Sequence, residues 1–219
     1  MFINLFLLVL HNMVSDSRLK KIKRVVSQRQ AGLAVVIDDI HDPHNAEAIF
    51  RTCDAFGVQD VYLIFDKTEP WNPAKIGKQS SSSAHKWLTF HTFKSTEECL
   101  DYLKEKEYVI VATALKDEAI SLFDYSFGKK KIALMIGNEH RGLSDSVLAR
   151  ADAILNIPMR GMVESLNVSV ASAVFLAELT RQRTALGRSF ALTRDEQQAL
   201  EEQLMLQRGS ANSTLKNLI

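Results

Sequence analysis

Cysteine is almost missing from this chain of 219 residues, which has only Cys53 and Cys99. They stand far apart with no metal-type spacing between them, which excludes a disulfide framework or a Cys-x-x-Cys zinc cluster; reduced thiols in a cytoplasmic protein are expected. Long apolar runs are missing too. The opening stretch MFINLFLLVLHNM holds about ten apolar residues in its run, roughly half what a membrane-spanning helix requires. It has no basic residue ahead of it and no small-x-small cleavage site behind it, so a secretory signal fits poorly. Met13 as a translational start, with residues 1–12 an uncertain extension, stands beside a packed or membrane-touching segment as the alternative. No Gly-x-Gly-x-x-Gly follows the first strand-like run and no Gly-Lys-Ser/Thr loop is present, which argues against dinucleotide-binding and P-loop folds. There is no strong charge of one sign either, because 27 Lys and Arg face 26 Asp and Glu. That balance, with 46% hydrophobic residues, describes an ordinary globular protein.

The balance hides an asymmetry. Residues 16–30, DSRLKKIKRVVSQRQ, carry six basic side chains against one acid, whereas residues 94–118 carry seven acids against four bases. In the first of these, Leu19, Ile22, Val25 and Val26 recur at helical spacing, with Arg18, Lys20, Lys21, Lys23, Arg24 and Arg29 around them. A solvated face, a membrane-surface face and a phosphate-contacting face are all compatible with that pattern.

Short β-branched apolar runs occur at 33–38, 60–65, 87–92, 108–114, 131–137 and 153–158. Runs of this kind suit strands buried on both faces of a parallel sheet. Helical patterns at 45–57, 95–106 and 143–151 lie between several of them, and a longer one at 164–184 follows the last. The alternation predicts an α/β fold, with a helix before the sheet and one or two after it, near 193–207 among them. In such sheets ligands gather beyond the carboxyl ends of the strands, so the segments that follow the strands are where function is expected.

Three of those segments carry chemistry. They are PHNAEAIFRTCDAFG, IALMIGNEHRGLS and IPMRGMVESLNVSVASAVFLAEL. In their order and spacing they resemble the SpoU/TrmH-type RNA 2′-O-ribose methyltransferases of the SPOUT superfamily. The resemblance covers about residues 18–187 and is closest to the branch that methylates guanosine 18 in the tRNA D-loop. It implies a SPOUT fold: a mostly parallel sheet flanked by helices, with a deep C-terminal trefoil knot. It divides the chain into an uncertain extension (1–12), a basic N-terminal helix (13–31), the methyltransferase domain (32–187) and a C-terminal helical extension with a tail (188–219).

The same resemblance implies S-adenosylmethionine (AdoMet) as methyl donor with no metal, tRNA as partner, a homodimer, and no membrane partner. Arg51 with Asn45 is placed at the reacting centre, Glu139 near the substrate, and Ser165 and Asn167 between donor and ribose. Groups near Leu115, Ile136, Gly137, Ile157, Met159 and Leu166 are expected to hold AdoMet, and His44 to shape the loop or touch RNA. Given an RNA-modifying core, the basic helix (Arg18, Lys20, Lys21, Lys23 and Arg24) fits a phosphate-contacting role.

From the residues alone, blander readings stand beside each of these. Ser165 and Asn167 would be helix-capping residues, Arg51 a solvated partner of Asp54 at i+3, and Glu139 a surface carboxylate. His41, Asp42 and His44 lack the further ligands a zinc site needs. Trp71 and Trp87 suit either base stacking or packing. Arginine is also a poor base, since its guanidinium hardly ever loses a proton. Ribosomal RNA or another tRNA position remains the alternative substrate, and a non-catalytic RNA-binding module the alternative activity.

Overall fold

The computed structural model describes residues 14–73 and 84–207. The expected extension 1–12 and the tail beyond residue 207 lie outside the described residues. The chain divides into two compact units, one comprising residues 30–190 and the other residues 1–29 with 191–219.

The larger unit is built on one sheet of seven strands, all parallel: β1 (Leu33–Asp38), β2 (Asp60–Ile64), β3 (Thr89–Phe93), β4 (Tyr108–Thr113), β5 (Ile120–Ser121), β6 (Lys131–Ile136) and β7 (Ala153–Asn156). Their spatial order is β3-β2-β1-β6-β4-β7-β5. Every residue of β1 is buried, as its unbroken apolar run demands of a central strand covered on both faces. Alternate residues serve opposite faces. Leu33, Val35 and Ile37 join Leu134 and Ile136 on one face, beneath Ile49 and Phe50 of α2 (Pro43–Ala55) and Phe175, Leu176 and Leu179 of α5 (Val168–Ala185). Ala34 and Val36 join Ala133 and Met135 on the other, beneath Leu100 and Leu103 of α3 (Thr96–Glu105) and Val147 of α4 (Asp145–Arg150). Each fully buried branched side chain of this kind is worth about 1.5–3 kcal/mol.

A buried arginine closes the amino-terminal end of the sheet. Arg183, only 2% exposed, donates to the carbonyls of Ala31, Gly32 and Lys130 at 2.9–3.1 Å and stands 4.2 Å from the Phe190 ring. Burial pulls its pKa down to about 10. It pins the end of α5 to the segments that enter β1 and β6.

In the smaller unit, α1 (Asp16–Val26) packs on α6 (Arg194–Leu206). The apolar stripe of α1 is buried at Ile22 and Val26, and α6 buries Leu200, Leu204 and Met205. Thr193 and Glu196 close a reciprocal capping box at the start of α6.

Several expected boundaries shift. The helix predicted over 164–184 starts only at Val168, and the residues from 157 to 167 form a loop. Ser165 is therefore not a helical residue, and Asn167 is the N-cap. The predicted helix 143–151 shortens to Asp145–Arg150 because Gly142 and Leu143 still belong to the preceding turn. The two-residue strand β5 has no counterpart among the expected strands.

Candidate active site

The strand order reverses beside β1. From β1 the chain runs outward through β2 and β3, then crosses to β4 on the far side, and β6 later slots in between. Crevices at such switch points, outside the carboxyl ends of the strands, are where α/β sheets bind ligands. The segments leaving β1 and β6 face one another there.

The segment after β6 is a closed turn. Asn138 and Gly142 exchange both backbone hydrogen bonds, at 3.2 and 2.9 Å. Gly137 allows this: a Cβ there would lie 2.4 Å from the Gly142 carbonyl carbon and 2.5 Å from the Leu143 nitrogen. Gly142 closes the turn with φ +66°, a conformation that favours glycine. The turn holds up Glu139, His140 and Arg141.

Glu139 reaches across to the start of α2. Its carboxylate accepts from the backbone N–H of His41 (3.1 Å) and Asp42 (3.2 Å) and from the side-chain amide of Asn45 (2.9 Å). Asp42 is the N-cap, accepting from the His44 N–H at 2.9 Å, with Pro43 at the first helical position. Asn45 then accepts from the side-chain amide of Asn167 at 3.1 Å. Asn167 caps α5 by accepting from the Ser169 N–H and hydroxyl at 2.9 and 2.6 Å. Three separated motifs thus meet in one run of side chains: Glu139, Asn45, Asn167, Ser169. Burial pushes the Glu139 carboxyl up, but the bonds from Asn45, His41 and Asp42 outweigh it and hold its pKa below the ordinary value.

A second hub lies just behind. Asp39 is 2% exposed and takes a left-handed φ of 51°. Its Oδ1 accepts from the N–H groups of Asp66, Lys67 and Thr68 and from the Thr68 hydroxyl, at 2.9–3.1 Å. Its Oδ2 accepts from Arg141 Nη2 at 2.6 Å and from the Lys67 N–H at 3.1 Å, and its backbone carbonyl from the Asn138 amide at 2.7 Å. Burial opposes ionisation, yet these donors and the Arg141 charge hold its carboxyl below the usual range.

Not every expected residue joins these contacts. Arg51 is exposed on α2, and Ser165 is exposed in the loop before α5. Among the described residues no hydrogen bond joins either to the Glu139–Asn45–Asn167 run. His44 is exposed. The residues expected to hold AdoMet come from three neighbouring strand ends: Ile136 at the end of β6 with Gly137 just after it, Leu115 after β4, and Ile157 and Met159 after β7, with Leu166 beyond. Leu115 is 60% exposed, an apolar side chain left uncovered. Ile136 and Gly137 are buried, so only their main-chain groups remain to be offered. That set, apolar with backbone donors and acceptors, suits an adenosine better than a metal. Trp71 is half-buried and packs against Phe50 and Phe65 at the edge of the core.

In the smaller unit Lys20, Lys21, Lys23 and Arg24 are exposed. Arg18 is turned inward, donating to the carbonyls of Leu204 (3.4 Å) and Gln207 at the end of α6. A cation there satisfies helix-terminal carbonyls. Asp39, Asn138 and Arg141 are not among the residues the sequence singles out. Asn138 and Arg141 sit inside a recognised motif, whereas nothing in local spacing marks Asp39.

The pattern of the SpoU rRNA Methylase family matches residues 32–177. The chain belongs to that family. It is 38% identical over 173 residues to the tRNA (guanosine(18)-2′-O)-methyltransferase of Thermus thermophilus, covering 79% of this chain and 87% of that protein. Among solved structures, a TrmH/SpoU tRNA modifying enzyme of Aquifex aeolicus superposes with a TM-score of 0.77 at 33% identity, over 87% of this chain and 95% of that one. The SpoU methyltransferase AviRb of Streptomyces viridochromogenes, solved in complex with AdoMet, gives 0.63 at 28% identity, over 73% and 64% of the two chains. The family match spans the switch-point segments and most of α5, but neither α1 nor α6.

Proposed function

We propose that this chain transfers a methyl group from AdoMet to the 2′-hydroxyl of guanosine 18 in the tRNA D-loop. The observation that carries this reading is the 38% identity to a guanosine-18 enzyme across 87% of that enzyme's length. The meeting of the three motifs at the switch point supports it. AdoMet supplies an activated sulfonium methyl; Leu115, Ile157, Met159 and Leu166, with main-chain groups of Ile136 and Gly137, are the residues to hold it. No metal is required, because the donor carries its own activation.

The rest is positioning. Arg51 is assigned to the attacking hydroxyl, where a fixed positive charge favours the alkoxide; its guanidinium is not asked to lose a proton. The hydroxyl proton passes to water as the oxygen–carbon bond forms, the carbon–sulfur bond breaks and S-adenosylhomocysteine leaves. Glu139 is a poor base, since its pKa is lowered and its oxygens are engaged. Its role in this reading is to hold Asn45, and through Asn45 the amide of Asn167, against the ribose. Ser165 contributes from the loop before α5, and His44 from the rim.

The loop 157–167 and α5 are proposed to thread the trefoil knot of this family. The small residues Ser169, Ala171, Ser172 and Ala173 allow close backbone approach, and Ser172 folds its hydroxyl onto the Val168 carbonyl at 2.7 Å. The exposed apolar side chains of Met162, Val163 and Val170 are proposed to meet a second copy in a homodimer. Residues 32–187 are taken as the methyltransferase domain, with 13–31 and 188–219 gripping tRNA in the cytoplasm through Lys20, Lys21, Lys23 and Arg24. Among the described residues no helix is long and apolar enough to cross a membrane. Incubation with labelled AdoMet and either unmodified tRNA or ribosomal RNA tests the substrate: label in tRNA supports it, and label only in ribosomal RNA overturns it.

A further inference from the structure

We infer that Asp39 is a positioning residue of the methyl-transfer site, holding the turn that carries Glu139 in the attitude that orders Asn45 and Asn167. The inference rests on the site assignment proposed above.

Three segments that leave neighbouring strands converge on this one residue. Asp39 itself follows β1. Through Oδ1 it gathers the N–H groups of Asp66, Lys67 and Thr68, after β2. Through Oδ2 it takes Arg141, and through its carbonyl it takes Asn138, both after β6. Glu139 lies between those last two residues and is therefore anchored on either side. From that anchored turn Glu139 reaches forward to His41, Asp42 and Asn45. The segments after β1 and β6 are consequently stitched in two layers, with Asp39 at the back and Glu139 at the front.

The conformation fits the residue that stands here. Aspartate is one of the few non-glycine residues that tolerate a φ of 51°, and the five donors converging on its carboxylate fix it there. A buried carboxylate survives as an anion only where donors surround it. Here they include a guanidinium at 2.6 Å, the strong charge-assisted class of hydrogen bond.

The two carboxylate oxygens share the work unequally, Oδ1 taking every donor of the 66–68 turn and Oδ2 taking Arg141 with a second, longer bond from the Lys67 N–H at 3.1 Å, which makes the inference testable. Asp39→Asn keeps Oδ1 for the 66–68 turn, tolerates a left-handed φ, and replaces the Arg141 acceptor by an amide donor. Asp39→Gly deletes the whole carboxylate while relieving the backbone. Two readouts are needed. The first is amide hydrogen exchange, which needs no substrate. Asp39→Asn is expected to raise exchange at His140 and Arg141, whose N–H groups bond Asn138 Oδ1, by about tenfold or more, with the core strands unchanged.

The second readout is steady-state methyl transfer to tRNA. Misplacement by about 1 Å can cost on the order of 10²-fold in rate, so Asp39→Asn should lower kcat by roughly tenfold to a hundredfold with KM for AdoMet within about twofold. In an Arg141→Ala background the same change should add little. Unchanged exchange in the 138–141 turn overturns the inference whatever the activity. Raised exchange with wild-type kcat also overturns it, because the turn would then not govern transfer. Wild-type protein that methylates no tRNA would sink the functional reading instead, while the exchange comparison would still decide whether Asp39 holds the turn.

Discussion

Glu139 and Asn45 stand 94 positions apart, yet the Asn45 amide donates to the Glu139 carboxylate at 2.9 Å. Asn45 in turn accepts from Asn167, so one asparagine at the first turn of α2 joins the turn after β6 to the cap of α5. The asparagine's paired donor and acceptor make this possible. A carboxylate or a hydroxyl in its place would not present both faces in the same way.

Glu139→Ala removes the acceptor for two backbone N–H groups and for Asn45. Water takes up the exposed N–H groups, so the stability loss should be modest, about 0.5–1.5 kcal/mol by urea unfolding. Methyl transfer should fall on the order of 10²-fold with AdoMet affinity retained. A variant with wild-type kcat would show that the Glu139–Asn45 contact does not shape the site.

Asn167 has two duties that substitution separates. Asn167→Asp keeps an oxygen for the Ser169 N–H but loses the amide that Asn45 accepts; Asn167→Ala loses both. The alanine variant should lose about 1 kcal/mol from the missing cap and the aspartate variant almost none, while both lose transfer activity. Thermal unfolding beside initial rates checks this, and a fully active aspartate variant would contradict it.

Asp38 carries a pH signature. Burial, and then the neighbouring Asp39 charge, push its pKa to about 6 from 3.8, against the Thr96 hydroxyl that donates to it. The folded state therefore binds this proton more tightly than the unfolded chain does. The group's stabilising effect is full below pH 3.8, declines as pH rises, and is lost above about 6. Asp38→Asn should remove that decline and make the protein more stable at pH 7, by up to about 3 kcal/mol. Urea unfolding from pH 4 to 7 measures it; parallel curves for the two proteins would refute the assignment.

The exposed side chains of α1 should act on tRNA and not on chemistry. Replacing Lys20, Lys21, Lys23 and Arg24 together by Gln should flatten the salt dependence of tRNA binding by about three in log–log slope, with AdoMet affinity unchanged. Arg18→Ala, by contrast, should loosen α1 from α6 and leave that slope nearly intact.

How far the sequence reveals this molecule depends on the range of the interaction. The strands of the sheet core are legible because runs such as Leu33–Asp38 need burial on both faces, and the α2 start is marked by Asp42 and Pro43. β5 has only Ile120 and Ser121 and no pattern to read. The sequence pattern places the start of α5 early because it counts Ser165 and Asn167 into the first turns, whereas only Asn167 touches the helix, as its cap. Arg18 looks like its basic neighbours until its carbonyl partners at the end of α6 are in view. Asp39 escapes any local reading, since its five donors come from segments 27 to 102 positions away. Family resemblance, not periodicity, singles out Arg51.

The most direct test is transfer of labelled methyl from AdoMet to unmodified tRNA by wild-type protein and Arg51→Ala, with nuclease mapping of the product. Arg51 is exposed, so the variant should fold and bind AdoMet normally. The expected result is 2′-O-methylguanosine at position 18 with the wild type and a rate at least about 10²-fold lower with the variant. Methylation at another nucleotide, or undiminished transfer by Arg51→Ala, would contradict it.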